Sequence, residues 1–131
     1  MSYADRPWLA RYRAGSPSDL QLEYSNALEL FDAAVATDPD AAFLHYFDAT
    51  LSFGDVDRAA TALAAALRDN GFGAGDRLAI YVQNNPSFVI GLVAAWKAGG
   101  AAVAINPMNR KRELTYLLQD SGAVALLTLD D

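Results

Sequence analysis

Three runs of the chain are apolar at nearly every position: Arg77-Leu78-Ala79-Ile80-Tyr81-Val82, Ala101-Ala102-Val103-Ala104-Ile105 and Val124-Ala125-Leu126-Leu127-Thr128-Leu129. A strand with one wet face alternates with a period of two. Runs without that alternation predict strands covered on both faces, and therefore a mainly parallel sheet. Helical spacing fills the gaps between them. Asn85-Pro86 offers a cap and a first-turn proline, Phe88, Val89, Leu92, Val93 and Trp96 share one broad face, and Gly99 closes the helix. After the second run Asn106-Pro107 bends the chain, Asn109 is placed to cap, Leu114, Leu117 and Leu118 turn inward, and Gly122 ends the helix. Strand, helix, strand, helix, strand with right-handed crossovers gives the fold class: α/β, an incomplete layered βαβαβ unit with a mainly parallel sheet.

Upstream, residues 26–53 read as a helix and a short hairpin. Asn26 is an N-cap with Glu29 at the third helical position, Leu28, Phe31 and Val35 form a narrow apolar stripe, and Asp38-Pro39 stops the helix. The hairpin pairs Ala42–Phe47 with Thr50–Phe53 around Asp48-Ala49, a poorer tight-turn pair than Asp-Gly. From Ser52, an N-cap with Asp55 three residues on, Val56, Ala60, Leu63 and Leu67 mark a helix that ends at Asn70-Gly71. Residues 1–25 carry Pro7, Trp8, Tyr12, Gly15, Pro17 and Tyr24 without a period, which predicts an extended arm pinned by its aromatics. The organisation expected is thus an arm (1–25), a helix and hairpin (26–53), and a helix plus βαβαβ unit (52–131). Because Asp130-Asp131 follows a strand that would need covering, the unit reads as the opening piece of a larger enzyme.

Composition narrows the classes. Among 131 residues, 53% hydrophobic and 20% charged is a globular proportion. A net charge of −6 with a pI near 4.5 argues against nucleic acid as a partner, since phosphate-backbone binding needs excess Lys and Arg to release counterions. With no cysteine, disulfides, thiolate metal sites and a Cys nucleophile are excluded from these residues. No basic stretch followed by an apolar core opens the chain, and the apolar region from Phe88 to Ile105 is broken by Lys97 and Gly99-Gly100, so neither a secretory signal nor an integral membrane segment is expected.

Candidate chemistry is sparse. Gly71-Phe72-Gly73-Ala74-Gly75 has the glycines of a phosphate loop but joins a helix to a strand, whereas a dinucleotide fingerprint follows a strand and opens a helix; a plain turn is expected. Where a phosphate would sit, after the first parallel strand, Gln83-Asn84-Asn85-Pro86 lacks glycine, and helix capping is the expected role. His45, the single histidine, sits among Phe43, Tyr46 and Phe47 without partners for general-base work, and reads as structural. One histidine and scattered carboxylates do not make a metal site. The pairs Asp38/Asp40 and Asp130/Asp131 read as solvated, and no Gly-x-Ser-x-Gly elbow is present. Arg110-Lys111-Arg112 opens a helix against its dipole, either as a solvated face or for an anionic ligand or salt bridge. From the residues alone, no catalytic, cofactor-binding or metal site is assigned.

Thr50-Leu51-Ser52-Phe53, Gly75-Asp76-Arg77-Leu78-Ala79-Ile80, Asn84-Asn85-Pro86-Ser87-Phe88, Trp96-Lys97-Ala98-Gly99, Asn106-Pro107, Glu113-Leu114 and Asp120-Ser121-Gly122 occur in an order and spacing that resembles the adenylate-forming acyl-CoA synthetase (AMP-binding) family. The start, Arg6-Pro7-Trp8-Leu9 with Tyr12, Gly15, Pro17 and Asp19-Leu20, is similar to the leader of bacterial long-chain fatty-acid–CoA ligases, although richer in arginine. The resemblance covers the whole chain but only the N-terminal portion of the family's large adenylating domain. It implies ATP-dependent activation of a fatty acid to an acyl-adenylate, then thioester formation with CoA, with ATP, Mg and CoA required by the parent enzyme; the N-terminus without a visible signal predicts a cytoplasmic or membrane-peripheral location. The family's phosphate loop, adenosine-binding residues and C-terminal lysine have no counterpart here, so the isolated chain is expected to be inactive. Three alternatives stay open: a homodimerising or docking module using the arm and the third strand, a non-catalytic binder of nucleotide, CoA or acyl chain, and a ligase for a medium-chain or aryl acid.

Overall fold

The computed structural model describes residues 3–129. Its centre is β3 (Arg77–Tyr81), paired in parallel on one side with β4 (Ala101–Ala104) and on the other with β5 (Ala125–Thr128). A separate antiparallel hairpin is formed by β1 (Ala42–Tyr46) and β2 (Ala49–Ser52), and four helices accompany the strands: α1 (Ala27–Thr37), α2 (Phe53–Asp69), α3 (Pro86–Lys97) and α4 (Lys111–Ser121). The mixed α/β class and the parallel sheet are as the apolar runs predict.

Cover on both faces is realised only at the centre. Leu78, Ala79 and Ile80 are 2%, 0% and 0% exposed, whereas Leu126 in β5 is 45% exposed and the flanking Val124 and Leu129 are 63% and 49%. Two of three strands are edges, and α4 buries none of its residues fully, so the expectation of three doubly covered strands holds for β3 alone. The chain steps from β3 to β4 and then back across β3 to β5. With right-handed crossovers that reversal places α3 and α4 on opposite faces.

The well-covered face is built from small residues. Ala60 and Ala64 of α2 and Ala94 and Ala95 of α3 are 0% exposed, which lets the two helices approach closely over Leu78, Ile80 and Val82. Gly91 sits where α3 crosses the sheet, and a Cβ there would lie 2.5 Å from Leu127 Cδ2 and 3.3 Å from Ile80 Cδ1. The turn into β4 is tighter against backbone. At Gly100 a Cβ would meet the Phe72 ring and lie 2.6 Å from the Asp76 carbonyl oxygen, which already accepts the Ala101 N–H at 2.8 Å.

Caps explain the upstream helices. Ser52 Oγ accepts the Asp55 N–H at 3.1 Å while the Asp55 carboxylate accepts the Ser52 N–H at 2.9 Å, a complete capping box. At α1, Asn26 Oδ1 accepts the Glu29 N–H at 2.9 Å, but Glu29 reaches back to Ser25, accepting from its N–H at 2.9 Å and its hydroxyl at 2.6 Å. The hydrogen bonds from Ser52 hold the Asp55 carboxyl below the usual range, helped by Arg58, and those from Ser25 do the same for Glu29.

Four local expectations are corrected. The hairpin turn is Phe47-Asp48 rather than Asp48-Ala49: Tyr46 pairs with Ala49, and Phe47 takes the left-handed conformation (φ 52°) with its ring in edge contact with Tyr46. The arm is not extended, because Tyr3–Asp5 and Pro7–Arg11 form short 3-10 helices and Arg6 bonds Asp19 (2.6 and 3.2 Å) and the Ser18 carbonyl (2.6 Å), closing a loop. Arg110, not Asn109, occupies the N-cap of α4. Asn85 does occupy the N-cap of α3, but its side chain makes no capping bond and its Oδ1 is buried without a partner.

Two predictions follow from this geometry. Gly100→Ala forces the Asp76 carbonyl or the Phe72 ring to move and is expected to cost about 1–3 kcal/mol in urea denaturation, whereas Gly73→Ala, where a Cβ meets nothing within 4 Å, stays near wild type. The lowered Asp55 pKa supplies stability that is present above the unfolded carboxyl pKa of about 4 and is lost as pH falls through the lower folded value. The stability gap between wild type and Asp55→Ala should therefore be open at neutral pH and close in acid; a gap that persists unchanged there would count against the box as its source.

Candidate functional site

Parallel sheets collect function at the carboxyl ends of their strands, where the following loops form a crevice. Here the ends of β3 and β4 open a cleft of about 510 Å³ lined by Val82, Gln83, Asn84, Ile105, Asn106 and Met108, among others. Its wall is fixed by Tyr81, whose hydroxyl lies 3.0 Å from the Pro107 carbonyl oxygen and 2.6 Å from that of Asn109, so the strand holds the loop that leads to α4. Asn106 Oδ1 accepts the Met108 N–H at 2.9 Å within the same loop. The cleft's described lining residues offer amides and apolar carbon but no titratable side chain, an arrangement that can shape a boundary and cannot move a proton.

A second depression is almost wholly apolar. α1 presents Ala27, Leu30, Phe31 and Ala34, and α3 presents Val89, Leu92, Val93 and Trp96, both at i, i+3, i+4, i+7 spacing. Between them lies a groove of about 410 Å³ whose lining includes Phe43 and Phe53. Those two rings stack with centroids 4.2 Å apart, and Phe31 tilts against them at 5.9 and 6.2 Å. Beside it, Lys97 at the end of α3 joins three helices: its Nζ lies 2.9 Å from Asp57 on α2 and 3.7 Å from Asp32 on α1. A lysine in the last turn also suits the helix dipole.

The residues singled out from sequence do not converge. His45 is exposed on the hairpin, its Nδ1 3.0 Å from Thr50 Oγ1 on the paired strand, and it borders a depression with Asn84, Asn85 and Pro86. Gly71 to Gly75 form a turn between α2 and β3, with left-handed Gly71 (φ 88°) and Gly75 (φ 86°) and the Gly73 N–H donating to Asp76 Oδ2 at 2.8 Å. Arg110, Lys111 and Arg112 are all exposed. Asp38 and Asp40 are exposed too, and Asp38 Oδ1 accepts the Asp40 N–H at 3.1 Å. Asp130-Asp131 lies outside the described residues. The Lys97 junction and the Tyr81 tie were missed; a lone lysine closing an otherwise apolar helix was the available signal for the first.

A nucleotide triphosphate with its metal needs clustered cations, backbone N–H groups and carboxylates. At the strand-end cleft the loop after β3 has no glycine, Pro86 removes an N–H from the first turn of α3, and among the described residues no charged side chain lines the wall. Among the described residues no three His, Cys, Asp or Glu side chains gather as a metal-ligand set. The described residues of this cleft do not fit that group.

A family model described as AMP-binding enzyme matches residues 31–131. The chain belongs to the AMP-binding enzyme family. A long-chain-fatty-acid–CoA ligase from Bacillus subtilis is 34% identical over 127 residues, 97% of this chain and 23% of the ligase. Surfactin synthase subunit 3 from the same organism is 37% identical over 98 residues, 75% of this chain and 8% of that protein. Among solved structures, the Klebsiella oxytoca NpsA N-terminal subdomain in complex with 3-hydroxyanthranilyl-AMSN superimposes with a TM-score of 0.74 at 27% identity, over 79% of this chain and 27% of that one. The chain thus spans less than a quarter of the length of these curated relatives.

The Lys97 junction yields a test of the scaffold. Lys97→Met leaves the half-buried Asp57 without its cation and is expected to cost about 1–3 kcal/mol; adding Asp57→Asn should restore part of that in the same denaturation assay.

Proposed function

We propose that this chain is the N-terminal portion of the adenylating domain of a long-chain fatty-acid–CoA ligase. In that reading the parent enzyme joins a fatty acid to AMP at the expense of ATP, releasing pyrophosphate, and CoA then displaces AMP to form the thioester. The residues that hold ATP and Mg and that carry the reaction lie outside this segment, which supplies scaffold and is inactive alone. The observation that carries the long-chain reading over an amino-acid or aryl-acid one is the reach of the similarity. The ligase aligns with 97% of the chain and so takes in nearly all of the arm, while the peptide synthetase subunit aligns with 75% and the aryl-acid structure with 79%. A resemblance that includes the arm favours the group of enzymes that shares it. The parent is taken to act in the cytoplasm or at a membrane surface; no helix of the described residues is long and apolar enough to cross a membrane.

The test has two arms. ATP–pyrophosphate exchange with palmitate on the isolated chain should be undetectable, and exchange above background would overturn its role as scaffold. The full polypeptide to which the segment belongs should form CoA thioesters with the highest kcat/KM for long-chain acids; a preference for aryl, medium-chain or amino acids would overturn the substrate.

A further inference from the structure

We draw no further inference here: the strongest candidate, the apolar groove between α1 and α3 bordered by Leu30, Phe31 and Trp96, is an unpartnered face, and nothing in the structure shows what covers it.

Discussion

Every other element takes its position from β3. Both of its edges are hydrogen-bonded and both of its faces are closed, so Leu78, Ala79 and Ile80 lose essentially all contact with water. A buried strand must pair its backbone groups or forfeit a desolvation cost for each one left open. The pairing continues past the regular ladder: Ile105 N–H donates to the Ile80 carbonyl at 3.0 Å, Val124 N–H to that of Arg77 at 3.0 Å, and Ala101 N–H to that of Asp76 at 2.8 Å. These bonds fix where α3 leaves the sheet and where the chain re-enters it. Gly91 and Gly100 are the points at which that closeness leaves no room for a side chain.

The two faces of the sheet then differ in kind. On one, α2 and α3 meet through alanines and bury a continuous core with Phe31, Phe72 and Val93. On the other, α4 is held by its ends rather than by a buried stripe: the Tyr81 hydroxyl ties the loop before it, and Gly122 in the left-handed conformation (φ 63°) closes it. This accounts for the exposed Tyr116 (63%), Leu126 and Val124. The same contrast appears in the chemistry. The capping box of α2, the Lys97 junction and the Arg6–Asp19 loop closure all spend their charged groups on holding backbone or helices in place, and none lines the strand-end cleft.

Much of this architecture is legible in the residues because burial and helix punctuation are local signals. The helix from Ser52 is announced by its capping box and by alanines at helical spacing, and the parallel sheet by apolar runs without alternation. Two of those runs overreach their strands by one residue, Val82 and Ile105, which stay buried at 3% and 4% exposure, while the third overreaches β5 at both ends with the exposed Val124 and Leu129. The displaced hairpin turn has a different cause. Left-handed backbone is uncommon for a bulky residue, so sequence reasoning favours a turn with Asp48 and Ala49 over one that puts Phe47 at φ 52°. Interactions distant in the chain were not legible at all. Nothing near Lys97 announces Asp32 or Asp57, and nothing near Arg6 announces Asp19.

The positions that carry the family resemblance have physical tasks in this structure, and the tasks are those of a framework. Asp76 accepts the Gly73 N–H, Gly99 (φ 87°) turns the chain between α3 and β4, Asn106 organises its loop, and Ser52 caps α2. A match made of such residues identifies the framework and leaves the substrate open. This fits the similarity of one chain to a long-chain-fatty-acid–CoA ligase, surfactin synthase subunit 3 and the NpsA subdomain alike. Discrimination has to come from a part of the chain that the framework does not require. The arm is such a part: residues 11–20 are exposed throughout, its loop is closed on itself by Arg6 and Asp19, and none of its described residues joins the buried core. Similarity there is not imposed by the packing of the sheet, so an alignment that takes in the arm carries information independent of the shared fold.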